Sequence, residues 1–117
     1  MFRDDRALLI DIALAARRAA AFRGPEREAF LADPKSQAAV LLQILRIDEA
    51  VRMLTPRFRI RHPALPWRSA ASQQQPLLGG HAAPYPAAIW KTASTDVPRL
   101  RAFISPLLPR PRRRKAG

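Results

Sequence analysis

The side chains of this chain best suited to chemistry are its arginines. Arg110, Arg112, Arg113, Arg114 and Lys115 form a short basic arm at the carboxyl end. A guanidinium presents a planar fork of donors that matches a phosphate group, so the arm could neutralise several phosphates of RNA or DNA. Such binding weakens with salt and ignores base sequence. The alternative is a solvated tail that aids solubility. A second group, Arg57, Arg59 and Arg61, alternates with Phe58 and Ile60. An extended connector would place all three guanidiniums on one side, as a track that joins the arm.

Charge distribution supports that emphasis. The formal net charge is +12, yet residues 1–54 contribute only +1 and residues 55–117 contribute +11, with Asp96 the single acid of the second half. This asymmetry favours nucleic acid or an acidic protein as partner. A general preference for arginine in the encoding genome would inflate the same figure.

Other chemistries are excluded by what the chain lacks. Without cysteine there is no disulfide, thiol nucleophile or cysteine-based metal site. The two histidines, His62 and His81, are too few for a histidine-rich metal cluster. Asp48 and Glu49 are neighbours on a helical stretch and point different ways, while Asp4, Asp5 and Asp11 read as cap and surface residues. The chain has no phosphate-cradling glycine loop, no nucleophile elbow and no metal-ligand motif, so neither metal nor cofactor is expected. No apolar run is long enough to span a membrane, and the start, MFRDDR, turns acidic where a signal peptide turns apolar. A soluble cytoplasmic protein is the expectation.

The elements that must position these residues are helical. Leu8, Ile12 and Ala16 recur at helical spacing behind Asp4 and Asp5, predicting a first helix from about Asp4 to Phe22 that Gly24 and Pro25 end. Its many alanines raise helicity and let a neighbour approach closely, which predicts a helical hairpin. Residues 26–32 read as a short helical connector plugged by Phe30 and Leu31. Asp33 and Pro34 open a second long helix to about Leu54, with the seam Val40, Ile44, Ile47, Val51 and Leu54. Leu41, Leu42 and Leu45 widen that seam, which fits either full burial or a dimer interface. Thr55 and Pro56 read as its end, and Phe58 to Pro66 as the extended basic connector. A third helix is expected from Trp67 to about Gln75, ended by Pro76 and Gly79-Gly80. A fourth starts at Pro86, carries Ile89 and Trp90, and is interrupted or restarted at Pro98 before Leu100, Phe103 and Ile104. Trp67 and Trp90 fall at core positions, with base stacking as the functional alternative. The fold expected is all-α, an antiparallel bundle of four to five helices over residues 1–108, with a disordered basic tail over 109–117.

The order of these features is similar to that of a known family. The first helix RDDR-LL-DI, a second helix opening DPKSQAAV and containing IDEAVRML, the connector F-x-x-x-HPALPW, and IWKT followed by DVPRL resemble the HepT-like family, the minimal prokaryotic HEPN ribonuclease toxins. The resemblance spans about residues 3–104. It implies a helical HEPN-type homodimer acting as a metal-independent endoribonuclease, checked by a minimal nucleotidyltransferase antitoxin that modifies an active-site tyrosine. In the family an Arg, usually followed by Asn, precedes a His by four to six residues, and a Tyr lies two residues beyond that His. An Arg can hold the scissile phosphate and a His can move protons near neutral pH. Aligned without a gap from Trp67 to Trp90, those positions hold Gln74, Gln75, Gly79 and His81, and Tyr85 lies four residues further on. In that register no catalytic residue is assigned, and His81, at the Tyr position, is the one candidate. The alternative implied by these departures is a catalytically inactive dimer that binds RNA or the nucleotidyltransferase. Arg57 and His62 repeat an Arg-to-His spacing in the connector, where His62 before Pro63 reads as a turn residue.

Overall fold

Two aspartates and a glycine define the first hairpin. The computed structural model describes residues 4–67 and 85–109, and within them every regular element is helical. Helix α1 spans Asp5–Arg23, with Asp4 Oδ1 accepting from the amide of Ala7 at 2.8 Å. Gly24 ends it at φ 70°, a left-handed conformation that a side chain would strain, and returns its amide to the carbonyl of Ala20. A short helix α2, Arg27–Leu31, turns the chain and buries Phe30. Helix α3 spans Pro34–Met53, opened by Asp33, whose carboxylate accepts from the Lys35 amide and the Ser36 hydroxyl. Those bonds, the Ser36 hydroxyl first, hold the Asp33 carboxyl below its ordinary value. Buried Gln37 reaches back from α3 and donates to the carbonyls of Phe30 and Leu31 at 3.0 and 3.2 Å, tying the connector to the helix it feeds.

Helices α1 and α3 form the antiparallel hairpin that the alanine content anticipates. Ala15, Ala16 and Ala19 are buried on α1 against Val40, Ile44, Ile47 and Val51 of α3 in one core cluster. At the far end Asp5 accepts from Thr55 twice, from its amide at 2.9 Å and its hydroxyl at 2.6 Å, pinning the start of α1 to the second residue after α3.

Two expectations are corrected beyond this point. Thr55 and Pro56 do not only follow α3; they open a further helix, α4, Pro56–Arg61. Thr55 Oγ1 accepts from the Phe58 amide and Pro56 occupies the first turn, where its missing N–H removes no bond. Arg57, Arg59 and Arg61 therefore lie on a helix and not on an extended track, so Arg57 and Arg61 share a face and Arg59 lies elsewhere. The second correction concerns Pro98. The run starting with α5, Pro86–Lys91, passes through a π-helical turn at Thr92–Asp96 into α6, Val97–Ile104, without a break. The Val97 amide bonds the carbonyl of Thr92, five residues back, and this wider turn accommodates the proline that an uninterrupted α-helix would clash with. A 3-10 turn, Ser105–Leu107, ends the run.

The third run completes the bundle by covering the hairpin. Ile89, Ala93, Val97, Leu100 and Ile104 are buried in the same cluster as the α1 and α3 seams. Arg23 at the end of α1 fixes its position: one guanidinium nitrogen donates to Ser94 Oγ at 2.9 Å, and the group lies 4.9 Å from the ring centre of Trp90. Trp90 in turn packs on Phe30 at 5.5 Å between ring centroids. Its face is filled by protein, in keeping with the core reading. Trp67 itself lies in non-helical backbone, and its backbone amide bonds the carbonyl of Leu65. The helix expected from Trp67 to Gln75, and the tail after Pro109, lie outside the described residues.

One polar contact inside the core anchors the chain where it leaves for that segment. Trp67 Nε1 donates to Asp48 Oδ1 at 2.7 Å, and Asp48, on the inner face of α3, is 3% exposed. Its other oxygen is buried without a partner among the described residues. Burial pushes the Asp48 carboxyl above its ordinary value, against the smaller opposing effects of the Trp67 bond and the Arg52 charge. A carboxyl raised in the fold stabilises while protonated, and that contribution is lost as pH rises through the raised value. Asp48→Asn keeps an acceptor for Trp67 and removes the charge, so its thermal midpoint should exceed that of the wild type at pH 7, with the gap closing towards pH 4 in circular-dichroism melts. Trp67→Phe leaves the carboxylate without its donor and should lose about 1–3 kcal/mol in urea unfolding. Thr55→Ala removes the α4 cap and the hydroxyl bond to Asp5, with an expected loss of about 1 kcal/mol by the same measurement.

Candidate nucleic-acid interface

Helix α4 divides its three arginines between two tasks. Arg59 Nη2 donates to the carbonyl of Val51 at 2.6 Å, satisfying one of the last-turn carbonyls of α3. It is thereby committed to holding α4 against the end of α3. Arg57 and Arg61, one helical turn apart, are exposed and line a surface depression of about 250 Å³ together with Arg6 of α1 and His62. The apolar floor is Leu9, Phe58 and Leu107.

His62 takes its place here through backbone and ring packing. Its amide caps α4 by bonding the Phe58 carbonyl at 2.9 Å, and its own carbonyl accepts from the Leu65 amide at 3.2 Å. The imidazole sits between Phe58, at 4.5 Å and tilted 40°, and Phe103, at 6.3 Å and edge-on. The expectation of a turn residue is met, and the packing also aims a polar ring into a basic depression.

The electrostatics of this patch are one-sided. Among the described residues Asp5 is the only acid lining it, and both its oxygens are taken by Thr55. Among the same residues, Arg6, Arg57 and Arg61 make neither an ion pair nor a side-chain hydrogen bond. Like charges at Arg57 and Arg61 repel across the helix turn, and a bound anion would relieve that repulsion. The arrangement suits an oxyanion.

Of the residues that the sequence singles out, Arg57, Arg59, Arg61 and His62 are described, and only Arg59 falls outside the patch. His81, with Gln74, Gln75 and Gly79, lies outside the described residues, as do Arg110, Arg112, Arg113, Arg114 and Lys115. Sequence reasoning misses Arg6, because its neighbours Asp4 and Asp5 read as a capped, charge-balanced helix start. The Asp5 to Thr55 bonds and the packing of Leu9 with Phe58 in one core cluster bring that end of α1 to α4. No group of three or more potential ligands among the described residues could hold a metal ion, and no described helix is long and apolar enough to cross a membrane.

A second surface has a different character. Ile10, Leu14, Leu42 and Met53 are exposed on α1 and α3. Leu14 and Met53 line a cleft of about 260 Å³ between these helices, flanked by Arg18, Arg46 and Glu49. Apolar side chains of this size, left open on a helical hairpin and rimmed by charge, suit a protein partner.

Comparison with known proteins places the whole helical unit. The model of the family described as "Ribonuclease HepT-like" matches residues 12–107. The chain is 33% identical over 80 residues to "Probable ribonuclease HepT" of Thermococcus cleftensis, covering 68% of this chain and 73% of that protein. It is 28% identical over 86 residues to "Putative RNase TTE0752" of Caldanaerobacter subterraneus subsp. tengcongensis, covering 74% and 77% respectively. No solved structure matches. The family match begins within α1 and ends at the last turn of the third run, so it takes in every element that builds the core: the chain belongs to the ribonuclease HepT-like family.

Proposed function

We propose that this protein acts on RNA as the ribonuclease-type, toxin half of a toxin–antitoxin pair, a cytoplasmic homodimer whose partner is a minimal nucleotidyltransferase. The observation that carries the reading is the family match over residues 12–107, which spans the bundle from α1 to the 3-10 turn. The +11 balance of residues 55–117 supports RNA as the polyanion. Open apolar side chains at Ile10, Leu14 and Met53 support self-association. Cleavage in this reading needs no metal, and His81 is the candidate for proton transfer.

A second reading has its own support. Gln74, Gln75, Gly79 and His81 stand where the resemblance calls for Arg, Asn, His and Tyr. Neither a neutral amide nor a glycine can replace a charged phosphate clamp or a proton carrier. In this reading the dimer binds RNA or the nucleotidyltransferase and catalyses nothing.

The two separate in one assay. Purified protein with single-stranded RNA in excess EDTA should cleave it under the first reading, and His81→Ala should slow cleavage by about 100-fold or more. RNA that stays intact while it is retained in a salt-sensitive complex selects the second reading. Absence of both cleavage and salt-sensitive binding removes RNA from the account. For the oligomer, light scattering after gel filtration should give twice the chain mass, and Leu14→Glu should yield monomer that keeps its helical signal.

A further inference from the structure

We infer that Arg6, Arg57, Arg61 and His62 form a phosphate-binding site that takes one backbone phosphate of an RNA strand, an inference that rests on the RNA reading above and gives it an address. Four nitrogen-bearing side chains from α1, α4 and the α4 cap line one depression of about 250 Å³. None of the three guanidiniums has a hydrogen bond or an ion pair among the described residues. Surface arginines normally scatter. Here they converge, and the remaining arginine of the same helix is the one that is structurally occupied, on the Val51 carbonyl.

The single acid described beside them, Asp5, keeps its negative charge, and three arginines against one carboxylate leave the cluster net positive. Asp5 commits both carboxylate oxygens to the Thr55 amide and hydroxyl, and in doing so draws Arg6 to α4. It acts as the tie that assembles the cluster. The floor of Leu9, Phe58 and Leu107 limits water beneath the guanidiniums, which strengthens a charge-assisted bond to a phosphate oxygen. His62, packed between Phe58 and Phe103, can donate from an imidazole N–H to a further oxygen of the same phosphate. A single phosphate matches the width of the cluster, since Arg57 and Arg61 are separated by one helical turn.

The test uses the full chain and two probes, AMP as a free phosphate monoester and a short fluorescent single-stranded RNA. Both should shift the His62 imidazole signals in NMR. Arg57→Gln/Arg61→Gln should weaken RNA binding about 10-fold or more at low salt. It should also reduce the slope of log affinity against log salt by about 0.7, the value when a single strand has one fewer phosphate neutralised. Arg99→Gln, an exposed arginine outside the depression, should change neither by more than about two-fold. Because the exposed double variant could still perturb α4, Arg6→Gln on α1 is run beside it and should reproduce the loss. A response of His62 to AMP but not to RNA overturns the RNA strand as ligand and leaves a free phosphate ester in its place. No His62 response to either probe, with RNA affinity intact in both variants, overturns the site while leaving the RNA reading standing; loss of all RNA binding by the wild type overturns that reading itself.

Discussion

The rest of the structure depends on how closely α1 can lie against α3. Three alanines, Ala15, Ala16 and Ala19, are buried on α1 where larger side chains would hold the helices apart. Across from them the α3 seam supplies the bulk, with Val40, Ile44 and Ile47 fully enclosed. Small residues facing large ones bring the axes together at native packing density. The resulting pair still has one open side, and the third helical run closes it with Ile89, Val97, Leu100 and Ile104. Helical propensity alone would not hold runs of this length; burial of the shared face does.

Polar contacts then decide where each end of the hairpin points. At one end Arg23 bridges to Ser94 and covers Trp90; at the other Asp5 holds Thr55. Neither pair would contribute much as an isolated surface contact. Their effect is positional, because each ties chain segments far apart in sequence and so sets which side chains meet. Asp48 works in the same way within the core, although its carboxylate must be buried to do so. It holds the indole of Trp67 and thereby fixes the point from which residues 68 onward depart.

How much of this is legible in the sequence depends on how local each signal is. The bounds of α1 and α3 agree with expectation to within a residue, because Asp4, Gly24, Asp33 and Pro34 are cap residues whose preference is set by adjacent amides. Helix α4 departs from expectation. Arg57 to Arg61 alternates with period two as a strand does, and a six-residue helix is too short to display its own period. Thr55 and Pro56 are the available signal, and they serve equally well as the end of one helix or the start of the next. The family is legible because it rests on the order of several motifs along the chain. The basic depression is half legible: the sequence points to Arg57 and Arg61, assigns Arg59 to a track it does not join, and passes over Arg6. Its membership depends on a tertiary contact between distant segments, as does the bond between Asp48 and Trp67, and periodicity carries no information about either.

The π-helical turn at Thr92–Asp96 makes segment length, as well as composition, a quantity the core measures. It inserts one residue into a turn, which rotates everything after it by about 100° relative to an uninterrupted α-helix. With that phase correction Ile89 and Ala93 before Pro98, and Leu100 and Ile104 after it, all face inward from a single continuous rod. Shortening the turn by one residue would restore ordinary α geometry and turn one half of the rod away from the hairpin, exposing either Ile89 beside Trp90 or Leu100 beside Phe103. The two halves of this rod are thus geared to each other: α5 against α2 and α3, α6 against α1, with the wide turn as the tooth that keeps both engaged.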